Sequence, residues 1–567
     1  MSAPAQNLDQ ASGWEPLRRP LFRNRWLASI ISSVGGWMQD TAGTWLMASL
    51  TTSPLLIALM QTAASLPVLL LGLLAGATAD IYDRRRLLIF WQTWMLAAVF
   101  LLSVLTIAGV VSPWVLLSLT FLLNIGAAMT NPAWQAIVPE LVPRSELADA
   151  IAINSAGFNL ARALGPALGG LLVAAFASTI TGAGTVFFLN SASFVAVILV
   201  LYAWKRKPLF KSALPAERVF GSMRAGLRYL RHAPPLQAVL IQAFLFTGFV
   251  SAAWALLAVV AQQHLHQGAM GYGILNGCMG LGAVIGAASL PKMRRRFEAD
   301  RIVQVASAVF AGTLFTLAFA HSISLIVLSL IAAGFAWTST TSTFNVAVQL
   351  SVPAWVQARA LGTYQMIFQG GMALGSATWG FWAQHISTSN ALMASGIGLL
   401  LSMVASRRFH LLKGELPDLN PYSLNRPAPQ VVIEPHPEDG PVLVTIEYRI
   451  RRADYDDFTR AIHHLREVRM RDGAIRWGIY QDTAEPDRMT ETFVVESWIE
   501  YLRQRERLTA ADRLIRDRVG SFHTGASPPI TSHMIYARQI ADELAKSVTK
   551  AAEDADREQS RDRHGSR

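Results

Sequence analysis

A succession of long apolar runs constrains this chain more than any other feature. A bilayer core about 30 Å thick needs about 20 apolar residues per helix, and twelve runs approach or reach that length. They fall at residues 26–49, 54–79, 87–109, 114–136, 148–175, 183–204, 236–261, 269–290, 302–320, 323–347, 359–383 and 389–406. The sequence therefore predicts an α-helical polytopic membrane protein with twelve transmembrane helices.

The charges are scarce and unevenly distributed. Of the 567 residues, 52% are hydrophobic and 15% are charged, whereas soluble domains carry about 25% charged residues. Residues 1–414 have a balance of +15 and the remainder a balance of −4. An ordinary soluble enzyme is excluded, and nucleic-acid binding is disfavoured because the soluble part is acidic. The single cysteine, Cys278, excludes an internal disulfide and a cysteine-based metal site.

Lys and Arg occur on alternate connections between the apolar runs. The other six connections contain neither residue, a pattern that predicts two cytoplasmic termini and a multi-pass protein of the inner (plasma) membrane. The polar segment before the first run lacks the apolar core of a cleaved signal peptide. The basic residues of these connections and of the chain ends include Arg18, Arg19, Arg23, Arg25, Arg84–Arg86, Arg144, Lys205–Lys207, Lys211, Arg218, Arg224, Arg228, Arg231, Arg294–Arg296, Arg359, Arg407 and Arg408.

The two halves of the apolar region repeat at a constant offset of 210 residues. The matches are Gly76-Ala77 with Gly286-Ala287, Arg84–Arg86 with Arg294–Arg296, Val142-Pro143 with Val352-Pro353, Ala163–Gly165 with Ala373–Gly375, and Gly170 with Gly380. Two six-helix halves in the same orientation form a parallel repeat, an architecture of secondary transporters with the substrate site between the halves.

Three motifs resemble those of the major facilitator superfamily. The first, Gly76-x-Thr78-Ala79-Asp80-x-x-Asp83-Arg84-Arg85-Arg86, is similar to its loop 2–3 signature, with Ile81 replacing the usual Arg and Asp83 the usual Gly. The second, Gly165-Pro166-x-x-Gly169-Gly170, is similar to the end of the antiporter motif. The third comprises Gly36–Gln39 with Trp45-Leu46 and Pro132–Ala136; together with the carboxyl-terminal domain it resembles the enterobactin-exporter-like, transmembrane secretion effector branch.

That resemblance implies export of a small molecule driven by the proton gradient, without a bound cofactor. The loop 2–3 residues Gly76, Asp80, Arg84, Arg85 and Arg86 would form a gate, and Arg294, Arg295 and Arg296 would be its repeat in loop 8–9. A tight turn with positive φ is feasible at Asp83, because Asp tolerates that conformation. The alternative is that these arginines only anchor the topology.

Two charged residues lie well inside the predicted spans. Asp40 in span 1 and Arg162 in span 5 each follow the start of their span by 14 residues, so they are expected to share a level about 21 Å deep. An unpaired charge there costs at least about 2.5–3.5 kcal/mol, which predicts pairing or solvation by a central cavity. Our hypothesis is that Asp40 carries the coupling proton and Arg162 modulates it; a static ion pair is the alternative.

Polar and aromatic residues on the same spans are candidates for a substrate cavity. Each one could instead hydrogen-bond a neighbouring helix, but their number suits an amphiphilic or aromatic solute. They are Gln39, Trp45, Gln61, Asn124, Asn154, Asn159, Gln242, Asn276, Asn345, Gln365 and Gln369.

A soluble domain follows a proline-rich linker. The pattern predicts strands at 442–450, 474–481, 490–498 and 530–538 and helices at 454–469 and 499–519. This β-α-β-β-α-β order is typical of a ferredoxin-like domain, similar to dimeric α/β-barrel modules. Dimerisation or regulation is the preferred role. An enzymatic pocket of His463, His464, Trp477 and Trp498 is the alternative, and packing residues the simpler interpretation.

The predicted organisation has seven parts. Two alternatives to the exporter remain: an importer or facilitator, and a membrane-anchored enzyme or sensor. The expected partners are a small-molecule substrate, membrane lipids and a second copy of the chain. The parts are an N-terminal segment (1–25), a first half (26–204), a basic linker with an amphipathic helix at 216–231 (205–235), a second half (236–408), a linker (409–441), the soluble domain (442–540) and a charged tail (541–567).

Overall fold

A computed structural model describes residues 15–143, 146–204, 228–411, 418–419 and 435–536. The predicted tail and most of the predicted amphipathic helix lie outside these residues. The chain divides into two compact units. The first comprises residues 1–219, 235–351 and 359–413, and the second comprises 220–234, 352–358 and 414–567.

The first half of the first unit contains six long helices. Proline begins three of them, where the missing N–H costs nothing. The hydroxyls of Ser53 and Ser112 accept hydrogen bonds from backbone N–H groups of Leu56 and Val115 and so cap two of these starts. The helices are α1 (Pro20–Leu50), α2 (Pro54–Ile81), α3 (Arg84–Ile107), α4 (Pro113–Leu141), α5 (Leu147–Ala174) and α6 (Thr179–Ala203).

The second half contains six further helices in the same order. The first of them ends in one π-helical turn, Val260–His264. They are α7 (Pro234–Val259), α8 (Ala269–Arg294), α9 (Ala299–Phe319), α10 (Ile323–Leu350), α11 (Ala354–His385) and α12 (Thr388–Ser406).

Ten of the helices in the described residues are long and apolar enough to cross a membrane. Helices α1 and α11 are the two long helices of this unit outside that group. Each carries polar residues along its length, including Asp40 in α1 and Arg359 in α11. The structure is thus a helical, integral membrane protein with at least ten candidate spans.

The helix ends define two faces of the first unit. We call the end where α1 begins and α2 ends the basic face, because it carries Arg84–Arg86 and Arg294–Arg296. We call the other end the neutral face, because its connections contain no Lys or Arg. These connections are residues 51–53, 108–112, 175–178, 265–268, 320–322 and 386–387.

The contacts within the first unit repeat at the offset found in the sequence. A Cβ on Gly165 would lie 2.4 Å from Cβ of Trp37 in α1, and a Cβ on Gly375 would lie 2.2 Å from the carbonyl oxygen of Gly248 in α7. Gly170 contacts α8, the second helix of the second half, and Gly380 makes the equivalent contact with α2, the second helix of the first half. The 210-residue repeat is therefore a repeat of helix packing as well as of sequence.

The second unit contains a four-stranded antiparallel sheet. Its strand order is β2-β3-β1-β4, with Val444 opposite Phe493 and His533. The helices cover the sheet face that carries Val444 and Phe493, and the core includes Phe458 and Leu465. The elements are β1 (Val442–Arg449), α13 (Tyr455–Asp472), β2 (Ala474–Gln481), β3 (Arg488–Val495), α14 (Trp498–Glu506), α15 (Ala510–Ser521) and β4 (Ile530–Ile535).

The second predicted helix of this domain is in fact two helices. A single helix over 499–519 is wrong, because α14 ends at Glu506 and α15 begins at Ala510. Thr509 and Asp512 form a capping box in which the hydroxyl and the carboxylate each accept the other residue's backbone N–H. Such a box satisfies N–H groups of a new helix start, so the chain turns there.

Candidate functional site

Helix α5 approaches α1 closely through the glycines of the antiporter-like motif. A Cβ on Gly169 would lie 2.7 Å from the carbonyl oxygen of Met38 and 2.9 Å from its Cα. A Cβ on Gly165 would meet Trp37 of the same helix. No side chain fits in this space, so glycine is required for α5 to lie against α1.

The same helix joins the two halves. A Cβ on Gly170 would lie 2.6 Å from the carbonyl oxygen of Ala269 and 2.8 Å from Cα of Gly273, both in α8. Farther along, a Cβ on Gly280 of α8 would lie 2.6 Å from Cα of Ala163. The carbonyl oxygen of Pro166 lies directly beside Gly273 of α8. The motif residues of α5 thus form a backbone contact with α1 on one side and with α8 on the other.

A second contact between the halves joins α2 to α11. The hydroxyl of Thr62 donates to the carbonyl oxygen of Ala373 at 2.9 Å. The hydroxyl of Ser53, beside the neutral face, donates to Oε1 of Gln384 at 2.8 Å. In addition, Trp45 stacks on Tyr272 with ring centroids 5.8 Å apart. These contacts between the halves lie in the middle of the unit and at its neutral face.

The side chain of Asp40 is exposed on one side of α1. Helix α1 contacts α5 through Trp37, α6 through Gly35 and α8 through Trp45. On its remaining side, a Cβ on Gly36 would meet nothing within 4 Å, and Asp40 one turn later is exposed. The Asp40 carboxylate is therefore accessible on the side of α1 that does not pack on α5, α6 or α8.

The prediction that Asp40 and Arg162 share a level is wrong. Gly169 of α5 packs beside Met38 of α1, so the level of Asp40 corresponds to residues just beyond Gly169. Arg162 lies about eight residues nearer the basic face, which is about 12 Å along a helix. Asp40 and Arg162 differ in depth because α1 begins at Pro20, well before its apolar run. The first residues of the two apolar runs therefore do not lie at equal depths.

Arg162 makes a polar contact with the other half instead of an ion pair with Asp40. Its Nη2 donates to the hydroxyl of Thr338 in α10 at 3.1 Å. No ion pair joins Arg162 to Asp40 in the part of the chain that the structure describes. Arg162 therefore links α5 to α10.

We expect Arg162→Met to lower the initial transport rate at least tenfold. A hydrogen bond to a charged group contributes about 1.5–3 kcal/mol, and the methionine removes both that bond and the charge between the halves. Thr338→Val, which removes only the acceptor, should have a smaller effect. Rates are measured in vesicles at equal protein abundance; a wild-type rate for Arg162→Met would contradict this role.

The predicted cavity residues divide into bonded and unbonded groups. Gln39 accepts a hydrogen bond from Asn190 of α6, so it joins two helices. Within their own helices, Gln61 donates to Ser65, Asn124 to Thr120 and Asn159 to Ser155. Gln242 donates to the carbonyl oxygen of Phe409, Asn154 Nδ2 is buried without a hydrogen-bond partner, and Asn276, Gln365 and Gln369 are half-buried.

Two amide pairs lie near the basic face, and of their members only Asn345 was named from the sequence as a candidate cavity residue. Nε2 of Gln135 donates to Oδ1 of Asn131 at 3.2 Å in α4, and both side chains are exposed. Nε2 of Gln349 donates to Oδ1 of Asn345 at 2.6 Å in α10. Gln135 and Asn345 are 210 residues apart, so the sequence repeat marks them as equivalent positions of the two halves. Exposed amides are costly in lipid, so these pairs indicate polar surroundings.

Among the predicted gate residues, Arg85 binds within its own half. Arg85 donates to the carbonyl oxygens of Leu201 and Tyr202 at 2.7 and 2.8 Å, at the end of α6. The turn at Asp83 does not use the positive φ that aspartate would tolerate; its φ is −59° and its carboxylate accepts the N–H of Arg86, capping α3. Arg294, Arg295 and Arg296 are exposed, and the Asp80 side chain lies outside the described part.

Comparison with known proteins decides the family. The model of the transmembrane secretion effector family matches residues 11–540, which include both structural units. The chain belongs to that family.

Relatives of this transmembrane secretion effector are transporters. It is 26% identical over 400 residues to the uncharacterized MFS-type transporter YfiS of Bacillus subtilis (strain 168), covering 68% of this chain and 93% of the relative. It is 24% identical to the multidrug efflux pump Tap of Mycolicibacterium fortuitum, covering 66% and 92%. It is 29% identical over 177 residues to the staphyloferrin A transporter of Staphylococcus aureus (strain NCTC 8325 / PS 47), covering 31% and 43%.

Solved structures show the same fold. The crystal structure of nucleoside transporter NupG aligns with a TM-score of 0.54 at 13% identity, covering 69% of this chain and all of that one. This similarity concerns the fold alone. Family and relatives together establish a major facilitator superfamily transporter, not an enzyme, with efflux proteins and a staphyloferrin A transporter among its relatives.

The two tryptophans suggested for an enzymatic pocket in the soluble domain, Trp477 and Trp498, are packing residues. Trp477 donates to the buried carboxylate of Glu491, which also binds Arg469 and Tyr448. Burial and the charge of Glu491 raise the pKa of Tyr448. His463 lies edge-on to Trp477, and Trp498 is buried beside Tyr501; His464 is exposed. Because its carboxylate oxygens accept hydrogen bonds from these neighbours, Glu491 stabilises the core of the soluble domain.

Proposed function

We propose that this family member exports a small amphiphilic molecule, such as a siderophore or a drug, across the inner membrane in exchange for protons. The observation that carries the proposal is the position of Asp40, an exposed carboxylate inside the helical unit. It lies beside the α1–α5–α8 contact, where the two halves meet. A proton bound there would be released or taken up as the halves rearrange.

The proposal includes twelve membrane spans with both termini in the cytoplasm. It adds α1 and α11 to the ten candidate spans, because each packs along a neighbouring helix of this unit: α1 on α5, and α11 on α2 and α7. The Lys and Arg residues of the basic face support the orientation, since cytoplasmic connections carry an excess of both. The neutral face would then be external.

Alternating access would act through the glycine contacts of α5 and α8. Backbone contacts of this kind lack interlocking side chains, so the two halves can rotate against each other as rigid bodies. The contacts at the neutral face, such as Ser53 with Gln384, would break when that side opens. Asp40 would then be accessible from alternate sides, and Arg162 would link the movement to α10 through Thr338.

The chemistry of the interior supports an amphiphilic substrate. Amide pairs such as Asn131 with Gln135 offer both donors and acceptors, and the stacked rings of Trp45 and Tyr272 offer an apolar surface. The names of the relatives, a staphyloferrin A transporter and a multidrug efflux pump, agree with a substrate of this class.

The domain that carries β1–β4 is proposed to be ferredoxin-like. Its four strands follow the β-α-β-β-α-β order when α14 and α15 are counted as one broken helix. The antiparallel order β2-β3-β1-β4 supports this assignment. Dimerisation through this domain stays a prediction.

Accumulation assays test the proposal. Siderophores, ethidium and macrolides are offered one at a time to a strain that lacks the gene. The solute that is the true substrate should accumulate to a higher level in that strain, and the intact gene should restore the low level. A proton uncoupler should abolish the restored difference. Lower accumulation in the strain without the gene would instead identify an importer, and a difference insensitive to the uncoupler would contradict proton coupling.

A further inference from the structure

The second structural unit contains more than the soluble domain. It also includes residues 220–234 and 352–358, of which the structure describes 228–234 and 352–358. These two segments lead into α7, which begins at Pro234, and α11, which begins at Ala354. The soluble domain therefore packs with the chain segments at the starts of two helices of the second half.

An ion-pair network joins the first segment to the domain. Nη2 of Arg228 lies 3.1 Å from Oε1 of Glu500 in α14. The same oxygen accepts Nη1 of Arg507 at 2.6 Å. Nη1 of Arg507 also donates to the carbonyl oxygen of Asp472 at 2.7 Å. Arg228 and Glu500 are both largely buried, so the pair is protected from screening by salt.

Aromatic rings join the second segment to the same network. The guanidinium of Arg507 lies 4.6 Å from the ring centroid of Trp355, and that of Arg471 lies 5.5 Å from the centroid of Tyr229. The rings of Tyr229 and Trp355 meet edge to face with centroids 5.7 Å apart. Each segment thus contributes one ring, and the domain contributes one arginine to each ring.

The two arginines are fixed by the domain itself. Arg471 binds Asp472 at 2.8 Å and Asp512 at 2.7 Å, and both carboxylates are buried. Arg507 lies between the end of α14 and Thr509, whose capping box begins α15. Because their positions depend on the fold of the domain, the arginines present a preformed surface to Tyr229 and Trp355.

We propose that the soluble domain is a clamp that holds the starts of α7 and α11 together. Its contact surface comprises Arg471, Glu500 and Arg507, and the segments it holds carry Arg228, Tyr229 and Trp355. Both helices belong to the second half, so the clamp fixes the geometry of that half. This role rests on the alternating-access function proposed above.

Spin-label distances test the clamp in the full-length protein. Cys278→Ser provides a background without thiols, and labels at Pro235→Cys and Ala358→Cys, both exposed, report the separation of the two helix starts. The intact protein should give one narrow distance distribution. Trp355→Ala and Arg507→Gln should each broaden it and add longer distances, while Trp355→Phe, which keeps a ring, should restore most of the narrow component.

Arg513→Gln is the matched control. Arg513 is an exposed arginine of α15 that pairs with Asp517 at 2.9 Å, and its loss should leave the distribution unchanged. Circular dichroism confirms that the domain is folded in each variant. A narrow distribution for Trp355→Ala and Arg507→Gln in a folded protein, or an equal broadening by Arg513→Gln, would overturn the clamp. The measurement needs no substrate or proton gradient, so its failure is separate from failure of the transport proposal.

Discussion

Asp40→Asn is expected to abolish proton-driven transport while leaving the protein inserted in the membrane. Asparagine has nearly the same size but cannot bind and release a proton between pH 5 and 8. Because the Asp40 side chain is exposed and no hydrogen bond or ion pair joins it to another residue in the part of the chain that the structure describes, the fold should tolerate the change. In vesicles with an imposed pH gradient, uphill transport should fall to background.

Two further measurements separate coupling from general damage. Asp40→Asn should still exchange labelled for unlabelled substrate without a gradient, since the substrate path remains. Asp149→Asn, which removes a carboxylate from the first turn of α5 at the basic face, should leave uphill transport largely intact. Undiminished uphill transport by Asp40→Asn would eliminate Asp40 as the coupling residue.

Gly170→Ala is expected to reduce transport at least tenfold. The added Cβ would lie 2.6 Å from the carbonyl oxygen of Ala269 and 2.8 Å from Cα of Gly273, and backbone atoms cannot rotate away as a side chain can. Overpacking costs about 1–3 kcal/mol, and here it would separate α5 from α8 where the halves meet. Initial rates and the melting temperature of purified protein are measured together.

Gly312→Ala is the control for this substitution. Gly312 is in α9, where a Cβ would meet nothing within 4 Å, and alanine favours a helix by up to about 1 kcal/mol over glycine. Stability and transport should therefore be unchanged or slightly higher. Full activity of Gly170→Ala at normal abundance would show that the close contact of α5 with α8 is not needed for the cycle.

The sequence repeat predicted much of the helical unit correctly. Gly165 and Gly375 are related by the 210-residue offset, and each lies against the first helix of its own half. Such agreement is expected because small residues at helix crossings are required wherever backbones approach closely. Apolar runs and glycine spacing therefore contain the information about which helices meet.

The relative depth of side chains could not be predicted in the same way. Asp40 and Arg162 lie equally far into their apolar runs, yet the contact of Gly169 with Met38 places them at different levels. Hydropathy marks where a run becomes apolar, whereas depth depends on the axial offset between packed helices. The partner of Arg162, Thr338, is likewise set by the packing of α5 against the second half.

Capping and side-chain partners were also missed. The break between α14 and α15 depends on Thr509 and Asp512, a threonine and an acidic residue three positions apart within a continuous amphipathic pattern. The sequence did not indicate that Arg85, a predicted gate residue, would donate to carbonyl oxygens at the end of α6. A charge in a connecting loop has many accessible partners, and only the fold decides among them.

Simultaneous recording of substrate and proton flux in proteoliposomes tests the proton-exchange mechanism most directly. The lumen contains a pH-sensitive dye, and a substrate identified by the accumulation assays is added to one side of the membrane. The account predicts that substrate movement drives opposite proton movement in the intact protein and that Asp40→Asn moves substrate down its gradient without any proton flux. Substrate transport by the intact protein without proton flux, or persistent proton flux in Asp40→Asn, would contradict it.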